Sequence, residues 1–215
     1  MSSAETPETP QRRWRGQEPD DRRARRRSRL IEAGTELMGT DGAAAVSMRG
    51  ISRQAGLTER YFYESFPNRE ALLVAVLESV ALAARDEVLA ALESAPAEPA
   101  RLVRHVVRAF TEFVVADPRR GRIMFVESLA APELTRRGAE LVGEFTRPIA
   151  RTLREGLLGP GEADDTDIEL NALAVFGSLA YLYQAWLERG LDVPVGRFVE
   201  HIAQVVERIA LAASA

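Results

Sequence analysis

An all-α fold is what this sequence predicts, and three observations carry the prediction. Apolar residues recur at i, i+3, i+4 and i+7 through most of the chain. No stretch of useful length alternates apolar and polar residues as a strand would. The periodic stretches are separated by Pro- and Gly-bearing breaks: FPN at Phe66, DP at Asp117, AAP at Ala130 and GPG at Gly159.

The elements follow in order. Residues 1–21 are rich in Pro, Glu, Arg and Ser without periodicity and predict a flexible tail, with Trp14 as a residue of that tail. A first helix is predicted over Arg25–Thr40, with Leu30, Ile31, Ala33, Gly34, Leu37 and Met38 on one side and Gly42 as its stop. Val46–Gln54 predicts a short helix with Ser47 as N-cap. Ala55 and Gly56 make a tight turn, and Thr58 caps a second short helix through Ser65. Pro67 cannot continue that helix, and Asn68 opens a long one to Glu93. Further helices are predicted over Ala100–Ala116, Arg119–Ala130, Pro132–Leu158, Thr166–Arg189 and Pro194–Ala213.

Composition narrows the function. The chain has no cysteine, which excludes disulfides and thiolate metal sites and fits a reducing compartment. No apolar run approaches the roughly 18 residues of a membrane span, so a cytoplasmic protein without membrane contact is expected. The net charge of −4 hides an asymmetry. Residues 1–70 carry 13 Arg against 11 acids, a net of +2, whereas residues 71–215 carry 15 Arg against 21 acids, a net of −6. A basic N-terminal third on an acidic body points to a polyanion partner for that third. His105 and His201 are isolated, and no nucleophile–base set or phosphate loop is present. An enzyme is therefore not expected, and neither a cofactor nor a metal is implied.

The stretch Gly56–Glu70, GLTERYFYESFPNRE, holds Tyr61, Phe62, Tyr63 and Phe66 together with Thr58, Arg60 and Arg69. On a helix Phe62 and Phe66 lie about 40° apart and face inward, while Arg60 and Tyr61 face out and Tyr63 sits at the border. Two short helices across a Gly-containing turn, backed by a longer one, form a helix-turn-helix whose second helix enters the major groove. Phe62 and Phe66 are expected to pack on Leu37, Ile51 and Leu73.

The segments RLIEAGTELMGTDG, VSMRGISRQAGLTERYFYESF and NREALL resemble the N-terminal domain of the TetR family of bacterial transcriptional regulators. The match runs in register over about 50 residues, Arg25 to Val76. Arg60 and Ser65 depart from the usual pattern, which has a small residue and a histidine at those places. The resemblance implies an N-terminal three-helix helix-turn-helix DNA-binding domain over residues 22–70. It also implies a larger helical ligand-binding and dimerisation domain over residues 71–215.

The expected DNA contacts are Ser47, Arg49, Thr58, Arg60, Tyr61, Tyr63 and Arg69. Arginine offers a fork to guanine O6 and N7, and Arg69 at a helix start is expected at a phosphate. The run Arg22–Arg29 is a further candidate for the DNA backbone. In the family the last two helices of each subunit make a four-helix dimer interface. Leu170, Ala174, Gly177, Ala180 and Tyr181, then Phe198, Ile202, Val205 and Ile209, are expected to supply it. Phe110, Phe113, Met124, Phe125, Ser128, Phe145, Tyr183 and Trp186 are candidates for an apolar ligand cavity. The function expected is a ligand-responsive homodimeric regulator, a repressor released from a palindromic double-stranded DNA operator by a small apolar effector. The alternatives are a DNA-binding regulator without a small-molecule effector and a helical adaptor that binds no DNA.

Overall fold

A computed structural model describes residues 17–155, 164–188 and 191–212. Among these residues every regular element is helical. Helix α1 spans Gln17–Asp41, α2 Met48–Gln54, α3 Glu59–Ser65 and α4 Arg69–Glu93. They are followed by α5 (Pro99–Ala116), α6 (Pro118–Arg122), a π-helical turn (Ile123–Glu127) and α7 (Ser128–Ala130). The remaining helices are α8 (Pro132–Arg154), α9 (Asp165–Glu188) and α10 (Val195–Ala212).

Helix α1 begins roughly two turns earlier than its apolar period predicts, so residues 17–21 are helix and not tail. The added turns lead into arginines that find partners on α3. Arg23 donates to the Glu64 carbonyl at 2.9 Å. Arg26 lies 3.7 Å from the Glu64 carboxylate, and Arg27 sits over the Phe66 ring at 4.9 Å. Arg29 donates to the Ala55 carbonyl at 2.5 Å. These polar contacts leave no mark in an apolar period. The rest of the expected tail, with Trp14, lies outside the described residues.

Gly42 ends α1 at φ +88°, a left-handed value that other residues adopt with strain. A 3₁₀ turn, Ala43–Ala45, then leads to α2. Ser47 caps α2 by accepting from the Gly50 N–H at 3.1 Å. Gly56, at φ +62°, makes the turn to α3. Thr58 holds the N-cap position of α3, but its side chain makes no bond to the helix.

Leu30, Met38, Ile51, Phe62 and Phe66 are buried in one core with Leu72, Leu73 and Val76 of α4. The predicted boundary at residue 70 therefore falls in the first turn of a helix shared by both parts. The same core continues to Ile123, Leu134 and Leu141. A second core gathers Val107, Val114, Phe125, Val175, Tyr183, Phe198 and Ile202.

The segment predicted as one helix over Arg119–Ala130 is interrupted by the π turn. That turn sends Ile123 into the first core and Phe125 into the second.

Helix α9 carries an outward apolar stripe. Leu170 is 58% exposed, Leu173 51% and Tyr181 56%, and Ala174 and Gly177 are exposed between them. Helix α10 differs from expectation, because Phe198 and Ile202 are buried in the chain's own core. Ala180, also expected on the seam, turns to the cavity described below. Among the described residues no helix is long and apolar enough to cross a membrane.

Candidate DNA interface and ligand cavity

The helix-turn-helix presents one polar surface. Ser47, Arg49, Thr58, Arg60 and Tyr63 are all exposed, and Tyr63 is 54% exposed although its ring packs edge-on against Phe62 at 5.7 Å. Phe62 is fully buried and meets Phe66 at 5.9 Å, which fixes the rotation of α3 and leaves Tyr63 pointing outward. The surface charges are mutually held: Arg49 reaches Glu59 at 3.4 Å and Arg60 reaches Glu64 at 3.0 Å. Such exposed pairs contribute about 0–1 kcal/mol, so either arginine can leave its carboxylate for a phosphate or base.

Two expected contacts are placed differently. Tyr61 is half-buried under the Arg26 guanidinium, 4.6 Å from its ring centroid, and so stands at the flank of the surface. Arg69 turns inward: it donates to the Val46 carbonyl at 2.7 Å, to the Ala43 carbonyl, and to Glu133 at 3.0 Å. Its guanidinium braces the turn before α2 against α8. The arginine run likewise spends Arg23, Arg26, Arg27 and Arg29 on bracing α3 and the helix-turn-helix corner.

The helical body holds a partly open cavity of about 460 Å³. Six of the eight residues expected there line it: Phe110, Met124, Phe125, Ser128, Phe145 and Tyr183. Phe113 and Trp186 do not. Phe113 lies under the Arg120 guanidinium at 4.3 Å. Trp186 stacks on Phe198 at 4.3 Å and donates its indole N–H to the Val193 carbonyl at 3.2 Å. Both serve the corner where their helices meet.

Among the described residues no charged side chain lines the cavity. Its hydroxyl hydrogens are already used: Ser128 donates to Met124 O at 2.5 Å, Thr152 to Pro148 O at 3.0 Å and Thr135 to Ala131 O at 3.4 Å. Tyr183 is 2.5 Å from Thr111, whose own hydrogen goes to Val107 O at 2.7 Å, so the tyrosine is the donor. Burial pushes the Tyr183 hydroxyl well above the usual tyrosine range, and it stays neutral. The cavity thus offers apolar surface and a few acceptor lone pairs. An ionised group brought inside would lose its hydration without a partner.

Sequence reasoning missed Glu127. It is 8% exposed and accepts from the Ala43 N–H at 2.8 Å and from Arg122 at 3.1 Å. No spacing signals a pairing across 84 positions.

Residues 30–76 match the model of bacterial regulatory proteins, tetR family. Those residues carry a DNA-binding domain of the kind found in the TetR family of bacterial transcriptional regulators. The chain is a DNA-binding transcription regulator and not an enzyme. Its similarity to individual members is wider than the matched domain. It is 28% identical over 145 residues to the HTH-type transcriptional regulator BetI of Rhizobium meliloti, covering 66% of this chain and 69% of that one. It is 28% identical over 134 residues to the HTH-type transcriptional regulator EthR of Mycolicibacterium smegmatis, covering 62% and 60%. The fold of this chain is similar to that of the transcriptional regulator FadR of Bacillus subtilis in complex with stearoyl-CoA. That match has a TM-score of 0.70 at 15% identity, over 86% of this chain and 98% of that one.

Proposed function

We propose that this regulator is a homodimeric cytoplasmic repressor, released from a palindromic operator by an apolar effector bound in the helical body. The observation that carries the ligand-gated reading is the cavity of about 460 Å³, which has no charged wall residue among the described residues. That size falls in the range of small-molecule sites, about 300–1,000 Å³, and a regulator without an effector has no use for it. The similarly folded FadR complex holds an acyl-CoA, which fits an effector that places an apolar chain in such a body. Ser47, Arg49, Thr58, Arg60 and Tyr63 form the reading surface, with Tyr61 at its edge. The α9 stripe of Leu170, Leu173, Ala174, Gly177 and Tyr181 is the dimer face, since a helix-turn-helix gains useful affinity from two half-sites. A ligand between the body helices tilts α4 and spreads the two reading heads, and it needs only a preference for the spread state.

Substitution separates the contact roles. Arg49→Ala and Tyr63→Ala should each lower affinity by about 1–3 kcal/mol and relax preference at particular base pairs. Arg69→Ala should instead leave the salt slope as it is and reduce stability by about 1–3 kcal/mol, because carbonyls and a carboxylate lose their donor. Titrations of a selected duplex at several salt concentrations, with denaturant melts alongside, check both. A shallower salt slope in Arg69→Ala would return that residue to the phosphates. Ligand gating is tested by binding to that duplex with and without long-chain acyl compounds and a metabolite extract. If nothing tried weakens binding, the effector-free regulator is the better reading.

A further inference from the structure

The π turn Ile123–Glu127 has two faces. Met124 and Phe125, with Ser128 just after them, line the cavity. Ile123 and Glu127 face the DNA-binding unit: Ile123 is fully buried in its core, and Glu127 takes the Ala43 N–H. A π turn inserted in a helix is a common feature of functional sites, because it can be wound in or out without breaking the chain's course.

The segment it grips is the one that aims α2. Glu127 accepts from Ala43 N at 2.8 Å, while Arg122, its ion-pair partner, donates to the Thr40 carbonyl at 2.6 Å. A Cβ on Gly42 would lie 3.2 Å from both Arg122 and Glu127, so the close approach uses the missing side chain. On the other side Arg69 holds the Ala43 and Val46 carbonyls. Val46 leads directly into Ser47, the cap of α2. The orientation of the helix-turn-helix therefore depends on a turn fixed from two sides, and one of those holds stands on the wall of the cavity.

We propose that Glu127 is the residue through which cavity occupancy reaches the DNA-binding unit. An occupant pushes on Met124, Phe125 and Ser128, the π turn rewinds, and Glu127 withdraws from the Ala43 N–H. The turn at residues 42–46 loosens and α2 and α3 lose their fixed aim. This rests on the ligand-gated reading above. It adds a route through the α1–α2 turn, distinct from a tilt of α4. Glu127 touches neither DNA nor ligand, so it is a positioning residue.

The test uses the full chain and the duplex enriched from a random pool, with amide exchange over residues 42–46 as the second readout. Ala180 lines the cavity from α9, so Ala180→Trp stands in for an occupant; Ala180→Phe is the milder form if tryptophan compromises folding. The expected result is that filling the cavity speeds exchange over 42–46 and weakens duplex binding about 10-fold, within the usual 5–150-fold of a coupled site. Glu127→Ala should do the same. The double variant should be no worse than Glu127→Ala alone, because both act through one contact. Glu127→Gln keeps an oxygen for the Ala43 N–H and should restore most of the protection. Independent, additive losses, or wild-type protection in Glu127→Ala, would overturn the Glu127 route and leave ligand gating standing. If filling the cavity changes neither exchange nor binding in folded protein, the ligand-gated reading falls and this route with it.

Discussion

Phe62→Ala should lower the stability of the protein by about 3–5 kcal/mol, the usual cost of emptying a fully buried aromatic site. Phe62 has no exposed surface and packs against Tyr63 and Phe66 in the core shared by α1 to α4. The loss approaches the whole stability of a marginal domain, about 5–15 kcal/mol. Duplex binding should fail at temperatures where the wild type binds well. Because the core is continuous from Leu30 through Leu73 to Leu141, the denaturation midpoint should move without a separate early transition. A shift below about 1 kcal/mol would mean that the site collapses around the missing ring and that Phe62 does not set the rotation of α3.

Leu173→Glu should convert the protein to monomers and remove specific DNA binding while leaving the helical content unchanged. Leu173 is 51% exposed in the single chain, so the change costs the isolated fold little. A two-fold interface on α9 would bury this position in both subunits. Each buried, unpaired carboxylate costs about 3–5 kcal/mol. Sedimentation should give the mass of one chain, and duplex affinity should fall by more than the effect of any single base contact. A Leu173→Glu protein that stays dimeric would place the interface elsewhere than the α9 stripe.

The helices and their breaks were largely legible, because Pro67, Pro118 and Pro132 and the apolar periods between them act locally. So was the inward face of α3, since Phe62 and Phe66 share a side of the helix while Tyr63 does not. The first turns of α1 were not legible, because Arg23 there is held by the Glu64 carbonyl, far along the chain. Arg69 looked like a phosphate contact at a helix start, yet its partners at Ala43, Val46 and Glu133 exist only in the folded chain. Phe113 and Trp186 have the chemistry of cavity walls and were expected there, but each packs at a helix corner instead. The π turn has no period of its own, and its residues read as ordinary helix. Residue type and spacing recover local geometry; they do not recover which of two cores a side chain enters.

The most direct test of a dimeric operator-binding regulator is selection of bound duplexes from a random pool by the full-length wild-type chain. Two α3 helices related by a two-fold axis should enrich an inverted repeat with half-sites on successive major grooves or further apart. Base preference should be strongest where Arg49 and Tyr63 can reach the base edges. A selected motif without inverted symmetry would contradict the paired reading heads, and no enrichment at low salt would contradict specific DNA reading by this surface.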